Sequence, residues 1–467
     1  MGKRRDVGMG SPWSGKRVVV LGLARQGKAL SRYFAERGAM VVVSDRKSAD
    51  AMRAAVAELD GFRLDFVFGG HPASLIEGAD LLCLSGGIPA DLPLAQQARA
   101  QGIRVLNDSQ IFLEDAPAPV IGITGSAGKS TTTALVGRMA AAAFAGQARR
   151  AWVGGNIGRP LVADLASIKP DDLVVMELSS FQLELMTVSP HVAAVLNLTP
   201  NHLDRHRTMQ AYAEAKGQIL DFQHEGDIAV LNRDDAGSWG MRQRVRGRLI
   251  TFGTGPDGID EGSYMLEGAI WLNLNGETRR VMAVDEIELR GPHNLSNVLA
   301  ACAIAGAAEL PYEALRTGVI GFRGIPHRLE FVRQVNGAAW YNDSIATAPE
   351  RAIAAIRSFD EPLVLLAGGR DKDLPWDSFG DLVARRVDHL IVFGEAARKI
   401  LAAVNAASGP QPHTVDRCQS LEEAVKVAAL RAQPGDVVLL APGGTSFDAY
   451  LDFEARGEHF KQLVNAL

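Results

Sequence analysis

The stretch PVIGITGSAGKSTTTALVGRMAAAA (residues 119–143) decides the fold. It joins a short apolar run, VIGIT, to an Ala-rich helical run through Gly125, Ser126, Ala127 and Gly128, entering the helix with Lys129, Ser130 and Thr131. A strand that ends in a glycine-rich turn and re-enters as a helix aims backbone N–H groups and the positive end of the helix dipole at one point. Lys129 adds a point charge there, and the Ser130 or Thr131 hydroxyl suits Mg2+. This predicts a nucleoside triphosphate site. The spacing departs from the strict P-loop pattern, since the residue six before Lys129 is Ile123 and the glycines stand at Gly122 and Gly125 instead.

The same strand–turn–helix alternation runs outward in both directions. RVVVLGL (17–23) is followed by a helix from about Gly27 to Arg37 and then by MVVVSD (40–45); later come LLCLSGG, DLVVMEL, VAAVLNL, DIAVLN, LVLLAGG, HLIVFGE and DVVLLAPGG. Continuous apolar runs of this length, ending in Gly, Ser, Asp or Asn and feeding helices, read as buried strands of parallel sheets. The class is α/β and doubly wound. From about Gly247 to Arg290 the pattern alternates, as in YMLEGAIWLNLNGETRRVMAV (264–284), and predicts antiparallel hairpins. Punctuation at DAPAPV (115–120) and GFRGIPHRLE (321–330) predicts three domains, 1–114, 115–323 and 324–467. The first and last read as Rossmann-like and the central one as P-loop ATPase-like.

Composition sets the outer bounds. A chain of 467 residues with 47% hydrophobic and 22% charged residues is globular. A formal charge of −5 leaves no basic field for nucleic acid or an anionic membrane. Cys83, Cys302 and Cys418 are scattered, which predicts neither disulfides nor a zinc ribbon and fits a reducing cytoplasm. The N-terminal MGKRRDVGMGSPWSGK is basic with no apolar run behind it, and is expected to be a tail rather than a signal peptide. The most apolar stretches fall short of the ~20 residues of a membrane span. A cytoplasmic protein is expected.

Other motifs leave two readings each. LGLARQGKA, with Gly22 and Gly27 and Asp45 ending the next strand, is either an ordinary turn or a nucleotide-phosphate turn; LSGGIP (84–89) would line the same crevice. Glu177 follows a strand directly, where a carboxylate reaches Mg2+ beside a P-loop or simply meets solvent. NLTPNHLDRH (197–206) carries two histidines in a loop, and Lys216 reads from composition as a solvated surface lysine. In GPHNLSN (291–297), Asn294 and Asn297 share a helix face, as ligand contacts or as caps. His327, Arg328, Asp343, Lys372 and Ser446 all flank strand-like runs and would meet at one sheet edge.

Taken together, GITGSAGKST, MELSSFQLE, NHLDRH with a lysine downstream, GPHNLSN, PHRLE, NDSIAT and PGGTSFD resemble, in order and over essentially the whole chain, the Mur ligases. ELSSFQLE and GGTSFD favour the glutamate-adding branch. The resemblance implies an ATP-dependent enzyme that adds D-glutamate to UDP-N-acetylmuramoyl-L-alanine in cytoplasmic peptidoglycan precursor synthesis. It implies domains for the uridine diphosphate, for ATP with two Mg2+ ions, and for the amino acid, in a monomer with no nucleic-acid or membrane partner. Gly122, Thr124, Gly125, Ser126, Ala127, Gly128, Lys129, Ser130 and Thr131 would then hold ATP, with Asn294, Asn297, Arg328 and Asp343. Lys129, Glu177, His202 and Lys216 would be catalytic; Ser130, Glu177, His202 and Lys216 would ligate metal, the last as a carbamate. Ser44, Asp45 and Arg46 would lie by the uridine, and Ser85, Gly86, Asn156 and His202 by the muramoyl group. Thr347, Lys372, Ser446 and Phe453 would hold glutamate.

Two departures bear on specificity. Ile345 stands where the family has a lysine, which removes a cation from the amino-acid side and raises L-glutamate as an alternative. Ala127 replaces the usual amide in the phosphate loop. The competing functions are a related ligase such as folylpolyglutamate synthase, a nicotinamide-dependent oxidoreductase built on GLARQG and Asp45, and a non-catalytic ATP switch.

Overall fold

The computed structural model describes residues 11–156, 158–201, 203–289 and 291–467. Three sheets follow one another along the chain. The first holds β1 (Arg17–Leu21), β2 (Met40–Asp45), β3 (Leu64–Phe68), β4 (Leu81–Leu84) and β5 (Arg104–Asn107) in the order β3-β2-β1-β4-β5, all parallel. Val18, Val19, Val20 and Leu21 of β1 are fully buried because both faces of this central strand are covered. Burying each such side chain contributes about 1.5–3 kcal/mol.

The second sheet runs β14-β13-β12-β11-β10-β9-β6-β8-β7. Its members are β6 (Val120–Thr124), β7 (Ala151–Gly155), β8 (Leu173–Glu177), β9 (Val192–Val195), β10 (Ile228–Asn232), β11 (Arg248–Phe252), β12 (Gly262–Leu266), β13 (Ala269–Leu274) and β14 (Glu277–Ala283). The region expected to be all hairpin is corrected at its start: β11 lies parallel to β10, and only β12–β13–β14 form antiparallel pairs. RLITF buries its last three residues, as a strand inside a parallel sheet does, whereas β14 exposes ETRR on an edge. The first helix also begins earlier than expected, spanning Arg25–Glu36.

The third sheet holds β15 (Glu330–Val335), β16 (Ala338–Asn342), β17 (Leu363–Gly368), β18 (His389–Phe393), β19 (Thr414–Arg417) and β20 (Val437–Gly443), in the order β15-β16-β20-β17-β18-β19. Only β15–β16 is antiparallel among the pairs of this sheet. The chain divides into two compact units, one through Phe322 with the first two sheets and one from Arg323 with the third. Among the described residues no helix is long and apolar enough to cross a membrane.

Candidate active site

In the second sheet β6 lies between β8 and β9, all parallel, so the residues leaving their C-terminal ends meet on one edge. From β6 the chain passes Gly125 (φ +157°) and Gly128 (φ +81°) into the helix Lys129–Ala143. Gly128 needs both its left-handed backbone and its missing side chain, because a Cβ there would run into Asn297 Oδ1. That contact sets the helix Pro292–Ala307 against the loop, and Asn297 donates to Asn294 Oδ1 at 3.0 Å. The shared face read from the i, i+3 spacing is realised beside the cradle.

The loop is held from outside by the segment that follows β9. Asn197 Oδ1 accepts from Ala127 N–H at 2.8 Å while Asn197 Nδ2 donates to Ala127 O at 3.1 Å. Ser126 Oγ donates to Thr199 O and accepts from Thr199 N–H, both at 2.9 Å. Lys129 Nζ donates to Gly125 O at 2.9 Å, which keeps the ammonium over the turn. Asn197, Thr199 and Tyr212, whose hydroxyl lies 3.1 Å from Ser126 Oγ, were not singled out from the sequence. Their contacts join segments some 70 to 86 positions apart, and no local pattern announces them.

Glu177 and Lys216 lie beside this loop. Glu177 ends β8 and is 1% exposed. Its Oε1 accepts from Asn156 Nδ2 at 2.8 Å, and its buried Oε2 has no hydrogen-bond partner. Lys216, on the helix Met209–Asp221, is 1% exposed, which overturns its reading from composition as a solvated lysine. Its Nζ donates to Thr124 Oγ1 at 3.2 Å and sits 4.9 Å from the centre of the Tyr212 ring. Burial first, and then the neighbouring Lys129, push its pKa well below the usual lysine value; Glu177 opposes them. Both effects favour the neutral amine over the ammonium. His206 is buried, with Nε2 2.9 Å from Ser180 Oγ and Nδ1 3.0 Å from Glu184 Oε1, and it stacks on Phe181. His202 lies outside the described residues. Among the described residues no three His, Cys, Asp or Glu side chains form a metal cage.

At the C-terminal edge of the first sheet Gly22 follows β1 and Ser85 and Gly86 follow β4, on the two sides of the point where strand order reverses. Asp45 Oδ2 accepts from Leu23 N–H at 2.8 Å, and Ser44 Oγ lies 2.8 Å from His71 Nδ1. Gly22, Asp45, Arg46, His71, Ile88 and Leu92 line a cleft of about 250 Å3. His71 is a further lining residue that the sequence did not single out. Burial and Arg46 hold its imidazole below the usual pKa.

In the unit from Arg323, Asp343 and Thr347 follow β16, Lys372 follows β17 and Ser446 follows β20; these strands are parallel neighbours, so the groups share one edge. His327 is buried and Arg328 exposed just before β15, on the same edge. Asp343 Oδ1 accepts from Leu329 N–H at 3.0 Å, and burial pushes its carboxyl up to about 6. Partial burial, then Arg351, lower the Lys372 ammonium. A fully buried Arg456, absent from the sequence reading, donates to Ser344 Oγ at 3.0 Å, Ser344 O at 2.9 Å and Gly444 O at 3.2 Å. It ties the NDSIAT turn to the GGTS turn from beneath. Ser344 Oγ in turn donates to the carbonyl of Phe453 at 2.8 Å.

Comparison with known proteins gives matches along the whole chain. Family models described as "Mur ligase MurD-like, N-terminal domain", "Mur ligase middle domain" and "Mur ligase, glutamate ligase domain" match residues 16–107, 123–305 and 327–444. A UDP-N-acetylmuramoylalanine–D-glutamate ligase of Symbiobacterium thermophilum is 42% identical over 97% of this chain and 98% of its own. Its counterpart in Thermoanaerobacter sp. is 36% identical over 97% and 99%. Among solved structures, the UDP-N-acetylmuramate–alanine ligase MurC of Thermotoga maritima has a TM-score of 0.56 at 18% identity, covering 96% of this chain and 99% of its own. The MurF ligase of the same organism, in complex with ADP, has a TM-score of 0.54 at 17% identity, covering 99% and 100%. At such identities these two structures speak for the fold alone.

Proposed function

The chain belongs to the Mur ligase family, and on that premise we propose how its residues divide the work of the reaction. The enzyme is an ATP-dependent, ADP-forming ligase that adds D-glutamate to UDP-N-acetylmuramoyl-L-alanine in peptidoglycan precursor synthesis. In our reading the L-alanyl carboxylate attacks the γ-phosphorus of ATP, releasing ADP and leaving an acyl phosphate. The amine of glutamate then attacks the acyl carbonyl, and the tetrahedral intermediate collapses with loss of phosphate. No enzyme nucleophile is needed; catalysis is positioning and electrostatics.

Residues 115–323 take ATP. Gly122 and Thr124–Thr131 surround the phosphates, Lys129 lies against the charge that moves from the γ-phosphate, and Asn294 and Asn297 add nucleotide contacts; Arg328 and Asp343, from residues 324–467, are further ATP contacts in this reading. The unpartnered, buried Oε2 of Glu177 is what a divalent cation fits, since a bare carboxylate oxygen at that depth lacks a donor. Ser130, Glu177, His202 and Lys216 would hold two Mg2+ ions, whose charge lets two anions approach each other. Lys216 serves as a carbamate: its neutral amine adds to CO2 and loses a proton, turning a cation into an anionic oxygen ligand. Residues 1–114 take the UDP moiety through Ser44, Asp45 and Arg46. Ser85, Gly86 and Asn156 receive the muramoyl part. Residues 324–467 take glutamate through Thr347, Lys372, Ser446 and Phe453. We take the enzyme to act in the cytoplasm as a monomer.

The observation that carries this reading is the glycine cradle at the end of β6 with buried Glu177 and Lys216 alongside it. The test is phosphate release from ATP with UDP-N-acetylmuramoyl-L-alanine and Mg2+, with D- or L-glutamate added separately and product masses checked. Release that requires D-glutamate is expected. Release only with L-glutamate would rewrite the pocket around Ile345, and release with neither would overturn the substrate assignment.

A further inference from the structure

Glutamate carries two carboxylates, yet the four residues assigned to it, Thr347, Lys372, Ser446 and Phe453, bring a single cation. A carboxylate taken out of water binds well only where charged donors replace its hydration. The turn that follows β16 has the apolar Ile345 at its centre, so that position contributes no charge. One residue standing at this turn does. Arg351 belongs to the helix Pro349–Ile356, which the NDSIAT segment enters through Pro349, and its N–H donates to Ala348 O at 3.1 Å in the first helical turn.

The guanidinium folds back over the turn. Its Nη1 lies 3.5 Å from Ile345 O, the same carbonyl that accepts from Thr347 N–H at 2.8 Å, so Arg351 and Thr347 converge on one oxygen. At 3.5 Å that contact is weak, and the guanidinium loses little by turning to a ligand. Backbone bonds lace this turn to its neighbours. Gly443 N–H donates to Ala346 O at 2.8 Å, and Arg370 and Thr445 exchange two N–H···O bonds of 2.8 Å each, which carries the edge to within two residues of Lys372. Other cations near these turns are spent on acids: Arg370 holds Glu395 at 2.8 and 3.0 Å, and Lys399 holds Asp371 and Asp373. Arg351 is exposed, and no carboxylate among the described residues pairs with it or with Lys372. Asp343, the acid of the same turn, accepts from Leu329 N–H instead. Two unpaired cations on one edge repel each other, and an anion received between them relieves that repulsion.

We propose that Arg351 is the second carboxylate anchor of the amino-acid site, its guanidinium taking one carboxylate of glutamate while Lys372 takes the other. This rests on the reading above, in which residues 324–467 receive glutamate. A guanidinium gives two parallel N–H donors to one carboxylate, so it fixes direction as well as charge, which the point charge of a lysine does not. Two cations held on one edge select an amino acid with two carboxylates, because a neutral side chain leaves one of them unpaired.

The test uses the full chain. Initial rates of phosphate release are measured for wild type, Arg351→Met, Arg351→Lys and, as a control for net charge, Arg357→Met, an exposed residue at the end of the same helix. Arg351→Met is expected to raise the KM for glutamate about ten- to a hundredfold, with the KM for ATP and for UDP-N-acetylmuramoyl-L-alanine within about twofold of wild type. Arg351→Lys should recover part of that loss, and Arg357→Met should stay within about twofold throughout. Glutamine, which lacks the side-chain carboxylate, and isoglutamine, which lacks the α-carboxylate, are then compared as inhibitors. Arg351→Met should weaken only the analogue that keeps the carboxylate held by Arg351, and leave the other unchanged. An unchanged KM for glutamate, equal weakening of both analogues, or an equal loss in Arg357→Met overturns the proposal. Wild type that releases phosphate with neither D- nor L-glutamate overturns the assignment of the amino acid instead.

Discussion

At the level of single residues, the site is governed by what burial does to charge. Lys216 occurs in an unremarkable helical stretch, AYAEAKGQIL, and only its surroundings lower its pKa well below the usual lysine value: burial desolvates the ammonium and Lys129 repels it. Lys216→Ala is expected to lose activity by about a hundredfold or more, the scale on which an electrostatic group of an active site acts. Short carboxylic acids should restore part of it, and wild type treated with 13C-bicarbonate should give a carbamate carbonyl signal that the variant lacks. Full activity in the variant without additive would sink the carbamate. Asp108 and Arg456 follow the same logic with opposite signs. Each is a buried charge: burial raises the Asp108 carboxyl to about 6 and lowers the Arg456 guanidinium to about 10.

At the level of elements, the phosphate loop is a strand and a helix joined by backbone that only glycine adopts comfortably. Gly128→Ala places a Cβ at φ +81° and against Asn297 Oδ1, so it should cost about 1–2 kcal/mol of stability. The KM for ATP should rise by at least tenfold as the loop and the helix Pro292–Ala307 move apart, measured in initial-rate assays with the other substrates saturating. An unchanged KM for ATP would mean that this turn does not shape the nucleotide site. The strands β1, β2, β4, β6, β8, β9, β10, β17, β18 and β20 were all legible as apolar runs, because a strand with both faces covered is apolar at nearly every position. Of the strands that the apolar runs did not reveal, β3, β5, β7, β15 and β19 are sheet edges, whereas β16 lies inside the third sheet between β15 and β20. LDFVF, EFVRQV and TVDR contain no fully buried residue, so their sequences carry no comparable signal.

At the level of the molecule, the chain separates after Phe322 into two units that can respond differently to solution conditions. In the second unit the Asp343 carboxyl is raised to about 6 from an ordinary value of 3.8, so the folded state holds its proton more tightly than the unfolded chain does. For this group stability is greatest below the unfolded value and falls as pH rises toward 6. Asp343→Asn removes that loss. Its stability relative to wild type should increase by about 1–2 kcal/mol between pH 5 and pH 7.5, read from urea midpoints of the full chain. A difference that does not change with pH would contradict it. By itself, the sequence determined the α/β class, the phosphate loop, the order of the motifs and hence the family, since each rests on local patterns: apolar runs, glycine turns and residues at fixed spacing. The tertiary structure alone decided which distant side chains share one environment. Burial of Lys216 beneath Thr124, the clasp of Asn197 on Ala127 and the bare oxygen of Glu177 each depend on groups brought together across the sheet edges. Desolvation and hydrogen-bond direction are properties of that assembled surrounding, and no short stretch of sequence contains them.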